Sequence, residues 1–155
     1  MTGPTSPAHR SPIRALAALL IFLSAGLAGA QTMVSVDRPV VNLREGAGTG
    51  HPASWQLAQG FPLKVIARRG GWLKVRDFEN DTGWVLGRLT ARKPHVIVKV
   101  PTANLRSRPS TRTAVKATLR YGEVLRTLER RGSWVRVRQD GGRTGWVARR
   151  LVWGW

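Results

Sequence analysis

Apolar and polar residues alternate in short runs along most of the chain, and after Gln31 no stretch keeps the spacing of an amphipathic helix. Leu63-Lys64-Val65-Ile66 and Val124-Leu125-Arg126-Thr127-Leu128 predict strands, each stopped by a turn at Arg69-Gly70-Gly71 or Arg131-Gly132-Ser133. The next strands are predicted over Trp72–Arg76 and Trp134–Arg138. In both, Leu73 and Val75 or Val135 and Val137 alternate with Lys74 and Arg76 or Arg136 and Arg138. One face of such a strand enters a core, and the other is wet and cationic. Glu79-Asn80-Asp81 and Asp140-Gly141-Gly142 then supply hairpin turn residues, which accept positive φ or bond their own backbone. A final strand carries Gly-Trp-Val.

These elements come in pairs. Shifting the chain on itself by about 62 residues, without gaps, places Asn42-Leu43-Arg44 on Asn104-Leu105-Arg106 and Arg68-Arg69-Gly70 on Arg130-Arg131-Gly132. It also places Trp72 on Trp134, Val75-Arg76 on Val137-Arg138, Thr82-Gly83-Trp84-Val85 on Thr144-Gly145-Trp146-Val147, and Arg88-Leu89 on Arg150-Leu151. About 19 of 50 positions agree under this single offset, far beyond chance. The chain therefore divides into an all-β unit over 33–90, a junction over 91–95, and a second all-β unit over 96–155. Each unit is expected to be a small barrel of about five strands, and so short a junction implies barrels in contact.

The order Asn-Leu-Arg, a Thr-bearing loop, Gly-x-Trp-x-x-Val-Arg, then Gly-Trp-Val and Leu resembles the bacterial SH3-like domain family in both copies. The resemblance implies two SH3-like β-barrels in tandem and a targeting or adhesion module, often for peptidoglycan peptides, without chemistry of its own. Glu45-Gly46-Ala47-Gly48-Thr49 keeps the family's glycine-rich loop, whereas Ser107-Arg108-Pro109-Ser110-Thr111 loses both glycines, so the second loop is expected to differ in shape.

The first residues change where such a module would act. Arg10 and Arg14 precede an uncharged run from Ala15 through Ala25 and the small-residue sequence Ala28-Gly29-Ala30, which reads as a secretory signal peptide over 1–30. As a membrane anchor, an apolar run of about 16 residues falls short of the roughly 20 a span needs. The protein is thus expected to be secreted or periplasmic. It has no cysteine, hence no disulfide framework and no thiolate metal site.

The chain carries a formal net charge of +18. The charge is uneven. Residues 31–90 hold 8 basic and 5 acidic residues, and residues 91–155 hold 16 and 3. An exported cation meets anionic lipid and wall polymer before nucleic acid, although the same charge also serves solubility. Arginine predominates over lysine, which suits bidentate recognition of carboxylate or phosphate.

Candidate chemistry is sparse. His51 lies in a loop and His95 in the junction, where both are expected to be solvent-exposed; Glu79 and Asp81 are expected to be solvated turn residues. No triad and no metal-ligand spacing can be assembled, so neither enzymatic activity nor a cofactor is expected. Leu43, Leu105, Val75, Val137, Leu89 and Leu151 are assigned to the two cores, and Asn42 and Asn104 to bonding of loop backbone. The candidate ligand-binding residues are Trp72, Lys74, Arg76 and Trp84, their counterparts Trp134, Arg136, Arg138 and Trp146, and Trp55, which has no counterpart. Trp72 and Trp134 share a side with the following basic residues, forming either an aromatic and cationic stripe or a cover over one end of the barrel. Trp84 and Trp146 either stack a ligand or pack where the preceding glycine lets backbone approach closely. Trp153 and Trp155 are placed to dock the C-terminus on the first barrel.

The expected function is an exported binding module for peptidoglycan or an anionic envelope polymer. A partner of another exported protein is the first alternative, and a nucleic-acid binder, disfavoured by the signal peptide, is the second.

Overall fold

The computed structural model describes residues 32–155; the segment read as a signal peptide lies outside the described residues. The first unit consists of β1 (Met33–Val36), β2 (Val40–Arg44), β3 (Ala53–Ala58), β4 (Pro62–Arg69), β5 (Trp72–Arg76), β6 (Thr82–Leu86) and β7 (Thr90–Ala91). The second repeats it with β8 (His95–Val98), β9 (Thr102–Arg106), β10 (Val115–Arg120), β11 (Val124–Arg131), β12 (Trp134–Arg138), β13 (Thr144–Ala148) and β14 (Val152–Gly154). A single 3-10 turn, Gly87–Leu89 or Arg149–Leu151, precedes the last strand of each unit. Where five strands were expected there are seven, because a short first strand and a shorter last strand pair with each other beside β4 or β11.

Both sheets are antiparallel and have the same order, β3-β2-β6-β5-β4-β1-β7 and β10-β9-β13-β12-β11-β8-β14. The alternation in the sequence explains the burial: Leu73 and Val75 enter one core and Val135 and Val137 the other, while Arg76, Arg136 and Arg138 stay exposed. A bulge in β4 and its equivalent in β11 leave Ile66 and Leu128 as the extra residues, and both are exposed. Leu43, Leu105, Val75 and Val137 are almost wholly buried, whereas Leu89 and Leu151 pack against the cores from their margins.

Gly83 and Gly145 are fixed by close approach. A Cβ on Gly83 would lie 2.5 Å from Leu43 Cγ, and one on Gly145 would lie 2.7 Å from Leu105 Cγ. The Gly-Trp-Val strand thus lies tightly against the Asn-Leu-Arg strand, its antiparallel neighbour, and the two recurrent motifs of the sequence are two sides of one contact. At the hairpin, Asn80 and its counterpart Gly142 take φ 73° and 83°, the left-handed conformation the turn residues imply.

The barrels meet along a seam. Only residues 92–94 separate β7 from β8, and His95 begins a strand of the second barrel instead of lying free in a junction. Its ring is half-buried, against the exposure expected for it, because it packs on Gly60 of the first barrel and places Nδ1 2.8 Å from the Lys93 carbonyl. The Ser35 hydroxyl, from β1, donates to the same carbonyl at 2.6 Å. Elsewhere on the seam the rings of Phe78 and Tyr121 lie 5.5 Å apart, and the Tyr121 hydroxyl donates to Glu79.

Candidate functional site

The same groove is cut into each barrel. In the first it is lined by Asn42, Arg44, Thr49, Trp72, Leu86 and Arg88, around a volume of about 380 Å³. In the second it is lined by Asn104, Arg106, Thr111, Trp134, Ala148 and Arg150, about 170 Å³. Each residue of the second set is the repeat counterpart of the corresponding residue in the first. The second groove adjoins a further cavity of about 450 Å³ that shares Thr111, Trp134, Ala148 and Arg150 and extends to Pro109, Ser110 and Ser133.

Strand register explains how the walls assemble. Trp72 is paired with Leu86, and Trp134 with Ala148, so each tryptophan shares a face with the residue beside it in the groove. Both tryptophans are half-buried, with an apolar body in the groove wall and the rest of the ring reachable. Asn42 and Asn104 were expected to bond loop backbone; neither side chain hydrogen-bonds another described residue, and both line the grooves. Each can offer a donor and an acceptor to an extended ligand.

The loops that overhang the grooves are latched by arginine. Arg44 Nη1 donates to the His51 carbonyl at 2.7 Å, and Arg106 Nη1 donates to the Thr113 carbonyl at 2.8 Å. The glycine-poor second loop was expected to depart in shape, yet it closes at the same place. There Thr113 Oγ1 donates to the carbonyls of Ser110 at 3.0 Å and Arg108 at 3.2 Å, bracing from within. In the first loop the His51 ring fills the space over Gly46, where a Cβ would come within 2.5 Å of it.

Of the residues singled out from sequence, Trp72 and Trp134 belong to the grooves. Lys74 and Trp84 are cross-strand partners, as are Arg136 and Trp146, so the stripe of basic and aromatic residues does share a face. The two ends of the stripe differ. Arg69 lies 5.4 Å from the Trp84 ring centroid and Arg131 5.1 Å from that of Trp146, covering the rings in cation-π contact. Trp146 is only 7% exposed, which leaves no face for a stacked ligand. Arg138 lines the cleft between the barrels beside Arg126, His95 and Lys93, while Arg76 and Arg136 line neither groove. Trp55 is 62% exposed on the edge strand β3, outside the groove. Arg44, Thr49 and Arg88 with their counterparts, and the two asparagines as groove residues, were not identified from sequence. The available signal was their identity in both copies.

Titratable groups gather at the seam and the hairpin, away from the grooves. Burial pushes the His95 imidazole below its ordinary range, opposed by its bond to the Lys93 carbonyl. A hydrogen bond from Lys93, 2.6 Å away, holds the Asp37 carboxyl down. Burial raises Asp77, whose Oδ1 accepts the backbone N–H groups of Glu79 and Asp81, each at 2.9 Å. Asp77, Glu79 and Asp81 are the three carboxylates that cluster among the described residues. Asp77 organises the turn and Glu79 receives Tyr121.

No curated protein matches the chain. Among solved structures it is similar to NlpC2 from Trichomonas vaginalis, at 15% identity and a TM-score of 0.37, over 80% of this chain and 48% of that one. It is also similar to an NlpC/P60 family protein from Bacillus cereus ATCC 10987, at 17% identity and a TM-score of 0.38, over 80% and 56%. The chain thus spans about half the length of these proteins. The bacterial SH3 domain family model matches twice, over residues 38–90 and 99–154, each match covering one barrel with its groove but not its first strand. The chain belongs to the bacterial SH3 domain family and carries two copies of its domain in tandem.

Proposed function

We propose that this protein is an exported, non-catalytic binding module whose paired grooves hold peptide or glycan-linked peptide of the bacterial cell wall. The observation that carries the reading is the recurrence of one groove, position for position, on two barrels whose sequences otherwise differ at most positions. Within each groove an asparagine presents both a donor and an acceptor, a tryptophan supplies an apolar wall, and two arginines stand at the margin. That combination suits an extended amide chain bearing carboxylates. Occupation of both grooves by one polymer would convert weak single contacts into avidity. The basic second barrel adds long-range attraction to an anionic envelope, and no helix among the described residues is long and apolar enough to cross a membrane.

The test is co-sedimentation of the protein with purified, protein-free wall sacculi at low and high salt, beside a Trp72→Ala, Trp134→Ala double variant. Pelleting that persists in high salt and falls at least about tenfold in the variant is the expected result. Pelleting lost in salt but retained by the variant reduces the interaction to charge adsorption. No pelleting at either salt removes the wall as ligand and leaves an exported protein as the partner.

A further inference from the structure

A second kind of cavity lies where the barrels join, and the two copies are not equivalent there. It encloses about 380 Å³ and is lined by Lys64 from β4 of the first barrel, Arg130 and Arg149 from the second, and Trp153 and Trp155 from the C-terminal segment. No carboxylate side chain is among its lining residues. The barrel fold does not require this arrangement. At the positions equivalent to Arg149, Trp153 and Trp155 the first copy has Gly87, Ala91 and Lys93, and it folds to the same strand order.

Three cations around one concavity repel each other, and among the described residues none of the three is ion-paired. Partial burial disfavours ionisation of Arg130, and the nearby charge of Arg149 adds to that effect. Their hydrogen bonds inside the protein are long: Arg130 Nη2 to the Gly154 carbonyl at 3.4 Å, and Arg149 Nη1 to the Gly132 carbonyl at 3.3 Å. Glu129, the acidic side chain nearest in sequence, is paired at 2.9 Å with Arg131 instead. Most of the donors on both guanidinium groups therefore remain available. The tryptophans are held in place by the backbone: Trp153 pairs with Ile97 in the sheet, and the Trp155 N–H donates to the His95 carbonyl at 3.0 Å.

We infer that this seam cavity is a phosphate-binding site, in which Arg130, Arg149 and Lys64 hold the phosphate of a phosphorylated saccharide or lipid headgroup while Trp153 and Trp155 face its carbon-bearing part. Guanidinium forks match phosphate geometry, and aromatic rings supply a rigid apolar wall at low conformational cost. The site is separate from the grooves and stands whether or not they hold wall peptide. Because Lys64 and the arginines come from different barrels, an occupied site would bridge the two.

The test is titration of the isotopically labelled protein with inorganic phosphate, following the indole N–H resonances of Trp153 and Trp155. A double variant, Arg130→Gln with Arg149→Gln, is compared with a charge-matched control, Arg120→Gln with Arg143→Gln. All four arginines are exposed, so both variants should fold. The expected result is saturable shifts that weaken at least tenfold in the first variant and less than threefold in the control. Shifts that never saturate, or equal weakening in both variants, would overturn the site and leave unlocalised charge attraction. Parallel sedimentation with phosphatidylglycerol vesicles and with a soluble phosphodiester-linked polysaccharide identifies the source. Binding to either that is lost in the Arg130, Arg149 variant supports the site and names its ligand, and binding to neither overturns it.

Discussion

The Arg106 guanidinium reaches seven residues along the chain to the carbonyl of Thr113, at 2.8 Å, closing the loop over the second groove. Arg44 makes the same bond to His51. The acceptor in each case is backbone, so the latch survives replacement of nearly every side chain in the loop. Charge-assisted hydrogen bonds of this kind contribute about 1.5–3 kcal/mol when both partners are withdrawn from water, and less when exposed. Arg106→Ala should accelerate amide exchange across Ser107–Ala114 while the strands keep their protection. Unchanged exchange in that loop would show that the bond does not hold it.

Gly83 and Gly145 admit no side chain without displacing a core leucine and the backbone of the neighbouring strand. Gly83→Ala or Gly145→Ala should each cost about 1–3 kcal/mol in denaturant unfolding, the usual range for overpacking. Gly141 has open space around it, and Gly141→Ala should stay within about 0.5 kcal/mol.

Trp146 and Trp55 separate frame from surface. Trp146→Ala should destabilise by about 3–5 kcal/mol, as expected for removing a buried indole. Trp55→Ala should leave the midpoint within about 0.5 kcal/mol of the parent. A large stability loss at Trp55 would contradict its exposed place on β3.

His95 predicts a pH dependence. Its folded pKa is lowered, so between that value and the ordinary 6.5 the unfolded chain binds more protons than the folded one, and stability rises with pH. The contribution is complete above about 6.5 and is lost on acidification through the window. Arg126 and Lys93 oppose protonation and Asp140 favours it, with burial the largest effect. Thermal melts from pH 8 to pH 5 should show a falling midpoint that is flattened in His95→Gln. An identical slope in the variant would assign the dependence to other groups.

The duplicated frame was legible in the sequence because its contacts are local and repeated. Alternation in β5 and β12 located the core face, and the glycines before Trp84 and Trp146 marked a close approach of neighbouring strands. The short strands β1, β7, β8 and β14 were missed because each has few residues and is defined by pairing with its opposite end of the domain. The groove was half legible for a related reason. Asn42, Thr49, Trp72 and Arg88 come from separate segments, and only the folded sheet brings them to one wall. The repeat did preserve all four, but it preserves frame and site alike and so does not separate them. The seam was least legible: the environment of His95 depends on Ser35 and Gly60, each on the other barrel.

The shared carbonyl of Lys93, which accepts both the Ser35 hydroxyl and His95 Nδ1–H, has a thermodynamic consequence. A barrel of about 60 residues buries only about 60% of the surface its unfolded chain exposes and is marginal alone, the more so without disulfides. Ser35 stands where the second copy has a buried Ile97, so the first barrel places a polar group at this position to grip the start of the second. Loosening either end of that contact exposes polar groups belonging to both domains. A cooperative unit enlarged in this way should melt on heating in one transition, with each barrel acting as the other's missing mass.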